Sequence, residues 1–177
     1  MQVIRFFKDV NEESIQGLLA TIDQRIAQGV EEFSLLISSG GGTVFHGLSA
    51  YNYLKGLPVT IDTHNFGLVD SISVVLYCAG RKKYCSPQAR FLLHTVQANY
   101  QNVSFEEPQL VEALNGLRID TENIARVIAA NVGVDVEEVK AKMLARTTLN
   151  PDEAKEWGLV DEIRTELYPA GSEVLII

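Results

Sequence analysis

Three features of this chain carry residue types that could do chemistry: a serine, a histidine and a run of glycines. Ser71 follows Gly67-Leu68-Val69-Asp70 and opens an apolar run, residues 72–79, that stops at Gly80. The pattern predicts a serine at the first turn of a short buried helix, where unpaired N–H groups and the helix dipole favour developing negative charge. Taken alone, Ser71 or Asp70 is more simply an N-cap. Gly40, Gly41 and Gly42 stand between a predicted strand and a predicted helix, so their N–H groups can face an anion and a substrate carbonyl can approach the backbone. Taken alone, that triplet is a tight turn. His94 closes the apolar stretch 90–94 and is, by itself, a hydrogen-bonded core histidine as readily as a base. The combination points to an enzyme where each part does not.

The elements that must position these residues follow from periodicity. Residues 3–7 suit a strand, and Asn11 stands as an N-cap before Glu12 and Glu13. Ile15, Leu18, Leu19, Ile22 and Ile26 then form one apolar stripe, closed by Gly29. A buried strand at 33–37, a loop at 38–42 and a helix with Val44, Leu48, Tyr51 and Leu54 on its inner face come next. Residues 59–63 open another strand, so strand and helix alternate, which argues an α/β fold with parallel neighbours. Short strands are expected at 83–85 and 90–94, with a turn at Ser86-Pro87 between them. Residues 95–107 have no clear period, and such a segment tends to be functional. Pro108 opens a long helix with Leu110, Leu114, Leu117, Ile124 and Ile128 on one side, a stripe able to bury against a partner subunit. Asp135 with Glu138 reads as a capping box, Asn150-Pro151 starts a further helix ended by Gly158, and the tail 173–177 is a strand expected to be paired.

Composition narrows the function classes. A chain of 177 residues with 46% apolar and 21% charged residues has the makings of one folded domain, 1–177. A net charge of -8 gives no footprint for nucleic acid, and no apolar run reaches membrane-spanning length. The N-terminus carries no secretory signal, so a cytoplasmic protein is expected, with Cys78 and Cys85 as free thiols.

Longer segments then carry a resemblance. LLISSGGGTVFHGLSAYNYL resembles the I-N-S-P-G-G-x-x-x-x-G-x-x-I-Y-D-x-M segment of the ClpP family, the proteolytic subunits of Clp protease. GLVDSISVVLYCAG is similar to that family's G-x-A-A-S-M-G-x-x-L-x-x-A-G, and SPQARFLLHT to its P-x-x-R-x-x-I-H-Q. VGVDVEEVKAKM and LNPDEAKEWGLVDEI resemble its later helix and closing motif, so the likeness spans residues 35–163. It implies a ClpP/crotonase-like fold of repeated strand-helix units with a long protruding helix after the histidine. It also implies a serine endopeptidase with Ser71 as nucleophile, His94 as base, and the backbone N–H groups of Gly42 and Ile72 as oxyanion hole. No metal or cofactor is implied. The implied partners are a peptide or unfolded-protein substrate, further copies of the chain in a homo-oligomeric ring, and an AAA+ unfolding ATPase. The last is the weakest expectation, because the family's longer N-terminal, pore-lining segment has no match here.

The likeness breaks at the third catalytic position. Where the family has an aspartate, an ungapped count lands on Arg146, and a slip of one residue on Thr147. Asp70, Glu106, Glu107, Asp152 or Asn150 could take its place, and the sequence does not choose. Asp70 and Ser73 stand where the family has a small residue and a glycine, Gly40 replaces a proline, and Thr95 a glutamine. Two alternatives follow. One is a catalytically impaired ClpP-like ring subunit with a structural role, and the other, on fold likeness alone, is a crotonase-type acyl-CoA enzyme.

Overall fold

The computed structural model describes residues 1–177, and its centre is an eight-stranded, mostly parallel sheet. In chain order the elements are β1 (Gln2–Phe6), α1 (Glu12–Ala27), β2 (Glu32–Ser39), α2 (Val44–Gly56), β3 (Thr60–Asp70), α3 (Ser73–Tyr77), β4 (Lys83–Cys85) and β5 (Arg90–Leu92). They continue with α4 (Glu107–Val132), α5 (Val136–Leu144), β6 (Thr148–Leu149), α6 (Pro151–Glu156), β7 (Glu162–Ile163) and β8 (Val174–Ile176). The sheet order is β6-β5-β3-β2-β1-β8, with β4 branching from β3 and carrying β7. Only β5 and β6 pair antiparallel. The predicted C-terminal strand is paired, in parallel with β1.

Local chemistry sets the boundaries. Asn11 caps α1 by accepting the Ser14 N–H at 2.9 Å, and Gly29, just past the helix, takes φ 86°. Asn150, expected to open a helix with Pro151, caps α6 by accepting the Glu153 N–H at 2.9 Å. At α5 the cap is Asp135, but its side chain bonds the Glu137 N–H, while Glu138 accepts from Trp157 Nε1 at 2.7 Å instead of closing a box.

Two strands differ in length from their apolar runs. β2 continues through Ser38 and Ser39, so the glycine loop starts at Gly40. β3 runs on to Asp70 because it changes partners: residues 63–65 pair with β4, and residues 68–70 pair with β5. The change occurs at a bulge opposite β2, where the register shifts between Ile37 and Ser39. Buried Asn65 holds it, donating to the Arg90 carbonyl at 2.8 Å and accepting from the Gly67 N–H at 3.0 Å. β5 in turn ends at Leu92, two residues before His94.

Above the sheet, residues 72–79 are buried throughout, as their composition predicts. Helix α2 packs there through Gly47, Ala50 and Leu54, with Val44, Leu48 and Tyr51 only half-buried. A Cβ on Gly47 would lie 2.3 Å from Ile72 Cγ1, so only glycine lets α2 approach this closely. On α4 the apolar stripe divides. Ile124 and Ile128 are buried in the core, whereas Leu110 and Leu114 in the N-terminal half are exposed.

The sheet also buries a histidine remote from the glycine loop. His64 is fully buried, its Nε2 lies 3.1 Å from Ser86 Oγ, and its Nδ1 has no partner. Burial, with a smaller push from the Arg164 charge, lowers its pKa from 6.5 to about 4. The thiols of Cys78 and Cys85 are free and buried, and burial pushes both up to about 12.

Two predictions follow from packing and protonation. Gly47→Ala loses about 1–3 kcal/mol in urea unfolding through overpacking against Ile72, whereas Gly116→Ala, in open space on α4, gains about 0.5–1 kcal/mol. Because His64 binds its proton less readily in the folded chain, its contribution to stability is full above pH 6.5 and is lost as pH falls toward about 4. Melting temperatures recorded across that window therefore fall less in His64→Leu than in the parent.

Candidate active site

The turn after β3 is the first constraint on the site. Ser71 lies outside the helix, at φ 60°, a left-handed conformation that costs a non-glycine residue about 1–2 kcal/mol. Its N–H donates to the Leu92 carbonyl at 2.8 Å, extending the β3–β5 ladder by one residue. The N-cap of α3 is Ile72, and no side chain caps the helix, so neither Asp70 nor Ser71 plays the capping role that the sequence allows. Ser73, fully buried, places its hydroxyl 2.9 Å from the Ser39 carbonyl and 2.6 Å from the Asp70 carbonyl. It straps the ends of β2 and β3 to α3.

The glycine loop is pinned from the other side by a residue that sequence reasoning did not single out. Val10 donates its N–H to Gly41 O at 2.7 Å and accepts the Thr43 N–H at 2.8 Å. A Cβ on Gly42, at φ 143°, would lie 2.2 Å from Val10 O, and a Cβ on Gly41, at φ 95°, would lie 2.7 Å from Ser71 Cβ. Glycine is required at both positions for the loop to thread between Val10 and the serine. The only sequence signal for Val10 is one apolar residue among polar neighbours.

Gly42, Ser71, Ile72 and His94 line one cavity of about 230 Å3, whose apolar floor is Leu93, Ile124, Ile128 and Met143. It shares Gly42, Val44, Val96, Gln97 and Asn99 with a groove of about 930 Å3 that runs between Phe45, Tyr100, Phe105 and the N-terminal half of α4. The Gly42 and Ile72 N–H groups make no hydrogen bond within the chain, so two unused donors border the serine.

His94 Nδ1 lies 2.7 Å from the carbonyl oxygen of Thr95. A carbonyl only accepts, so Nδ1 carries the hydrogen and, in the neutral ring, Nε2 keeps the lone pair. No hydrogen bond joins the ring to Ser71 Oγ. No carboxylate hydrogen-bonds it either. Glu106 and Glu107 are exposed at the start of α4, Asp152 is exposed on α6, and the Asn150 side chain is engaged in its cap.

The expected aspartate position is nonetheless adjacent. Phe91 pairs with Leu149, Leu92 with Thr148, and the Leu93 N–H donates to Thr147 O at 2.9 Å, so the pairing ends one residue short of position 146, whose N–H turns back to Met143 O at 3.2 Å. Arg146 is exposed there at φ 53°, and Thr147 uses its hydroxyl to bond the Lys142 carbonyl at 2.9 Å.

Comparison with known proteins identifies the family. A family profile described as Clp protease matches residues 2–166. The chain is 28% identical over 167 residues to the ATP-dependent Clp protease proteolytic subunit 2 of Corynebacterium efficiens, covering 93% of this chain and 82% of that one. It is 27% identical over 131 residues to the ATP-dependent Clp protease proteolytic subunit of Bdellovibrio bacteriovorus, covering 73% of this chain and 62% of that one.

Proposed function

Because the chain belongs to the Clp protease family, we propose that it is a serine peptidase in which Ser71 attacks the peptide carbonyl and His94 takes up the serine proton. Family membership supports the peptidase class. The residue roles are supported by one observation above all, that Ser71, His94 Nε2 and the two unused donors of Gly42 and Ile72 border the same cavity.

In this scheme the Ser71 hydroxyl proton passes to His94 Nε2 as the Oγ–C bond forms. The carbonyl oxygen becomes an oxyanion accepting from Gly42 N–H and Ile72 N–H. His94 then returns the proton to the departing amine, and water releases the acyl group by the same steps in reverse order. The Thr95 carbonyl holds the tautomer that this requires, the role a carboxylate has in a full triad, but without a negative charge to stabilise the imidazolium. The groove toward α4 is of a size to hold an extended peptide. The exposed Leu110, Val111, Leu114 and Ile119 on that helix support assembly through it into a homo-oligomeric ring.

A second reading, a ring subunit of little or no activity, is favoured by the lack of any carboxylate hydrogen-bonded to His94 and by Arg146 where an acid is expected. Two measurements decide between them. A fluorophosphonate probe labels Ser71, and Ser71→Ala lowers peptide turnover by about a thousandfold or more; turnover indifferent to Ser71→Ala favours the structural role. Arg146→Asp raises kcat by about tenfold or more, because it restores a carboxylate at the position where an acid is expected, next to Thr147, whose carbonyl accepts from the residue before His94.

A further inference from the structure

We infer that Asp70 is a positioning residue that supplies the negative charge His94 lacks, acting across the β3–β5 ladder from one carboxylate oxygen. The inference rests on the roles proposed for Ser71 and His94.

Asp70 precedes the serine and is buried, with its side chain 9% exposed. Asp70 pairs with Leu92 at the end of the β3–β5 ladder, so Arg90 lies two places before its partner and His94 two residues beyond it, past the end of β5. Burial along β5 and beyond alternates, since Phe91 and Leu93 are buried while Arg90, Leu92 and His94 are not. The two carboxylate oxygens have different surroundings. Oδ2 accepts from Arg90 Nη2 at 2.8 Å, whereas Oδ1 is buried with no hydrogen-bond partner. An ion pair that served only to tie the strands would have no reason to bury a second, unpartnered oxygen.

Burial pushes the Asp70 carboxyl above its ordinary value of 3.8, and the positive charges of Arg90 and then His94 pull it back. Coulomb attraction acts on both partners, so an ionised Asp70 favours the positive charge that forms on His94 when it takes up the serine proton. Arg90 limits the gain by neutralising much of the same charge. A unit charge about 7 Å away at an effective dielectric of about 40 is worth roughly tenfold in rate.

The test combines a titration that is independent of turnover with a rate. Carbon-13 NMR follows the Asp70 carboxyl in the parent, H94Q and R90Q proteins. Its midpoint rises in both variants if His94 and Arg90 each act on it, and an unchanged midpoint in folded H94Q overturns the inference. Fluorophosphonate labelling of Ser71 then slows about tenfold in D70N and does not slow in R90Q, which keeps the carboxylate charge and removes the cation that neutralises it. Equal losses in D70N and R90Q reduce Asp70 to a strut between strands and also overturn it. A parent that takes no label at Ser71 contradicts the peptidase roles, while the NMR result still decides the coupling.

Discussion

The site depends on one backbone constraint, the left-handed turn at Ser71 held against the Leu92 carbonyl. A serine at φ 60° is disfavoured by about 1–2 kcal/mol, and several fixed contacts over-determine it. The Leu92 hydrogen bond extends the ladder, the Ser73 hydroxyl ties β2 and β3 to α3, and Gly41 leaves space beside the Ser71 Cβ. Upstream, the bulge at Asn65 lets β3 leave β4 and join β5, so that the strand leading to the serine lies beside the strand leading to the histidine. Without that change of partner, Ser71 and His94 would not share a cavity.

Electrostatics around the pair are unusual in the placement of charge. The tautomer of His94 is fixed by a neutral carbonyl, an exposed arginine stands in the turn just before the strand that pairs with β5, and the buried carboxylate belongs to the residue before the nucleophile. A backbone carbonyl orients an imidazole as well as a carboxylate does, but it stabilises the protonated ring less. His64 shows the contrast within one fold. It is buried without an opposite charge beside it, its proton affinity is depressed, and its Nε2 is within hydrogen-bond distance of the Ser86 hydroxyl.

Much of this arrangement was legible in the sequence, for reasons that differ by residue. Helices announced themselves where caps and stripes coincide, as at Asn11 and Asn150, because those side chains bond their own helix ends. The family likeness placed Ser71, His94, Gly42 and Ile72 in order along the chain, and the structure places all four around one cavity. Illegible were features set by distant partners. Nothing local marks Val10 as the clamp on the glycine loop, Asn65 as the bulge, or the two-residue strand β6 that pairs with β5. The start of α3 was misplaced because an apolar run reports burial and not backbone conformation; the turn at Ser71 is imposed by Leu92 and Gly41. On α4 an unbroken apolar stripe concealed that only its C-terminal half meets the core.

The most direct test of the proposed chemistry is a crystal structure of the protein after reaction with a peptidyl phosphonate. The account predicts a phosphorus–oxygen bond to Ser71 Oγ, with one phosphonyl oxygen accepting from the N–H groups of Gly42 and Ile72 and His94 Nε2 within hydrogen-bond reach of the adduct. An adduct on any other residue, or a phosphonyl oxygen directed away from both N–H groups, would contradict it.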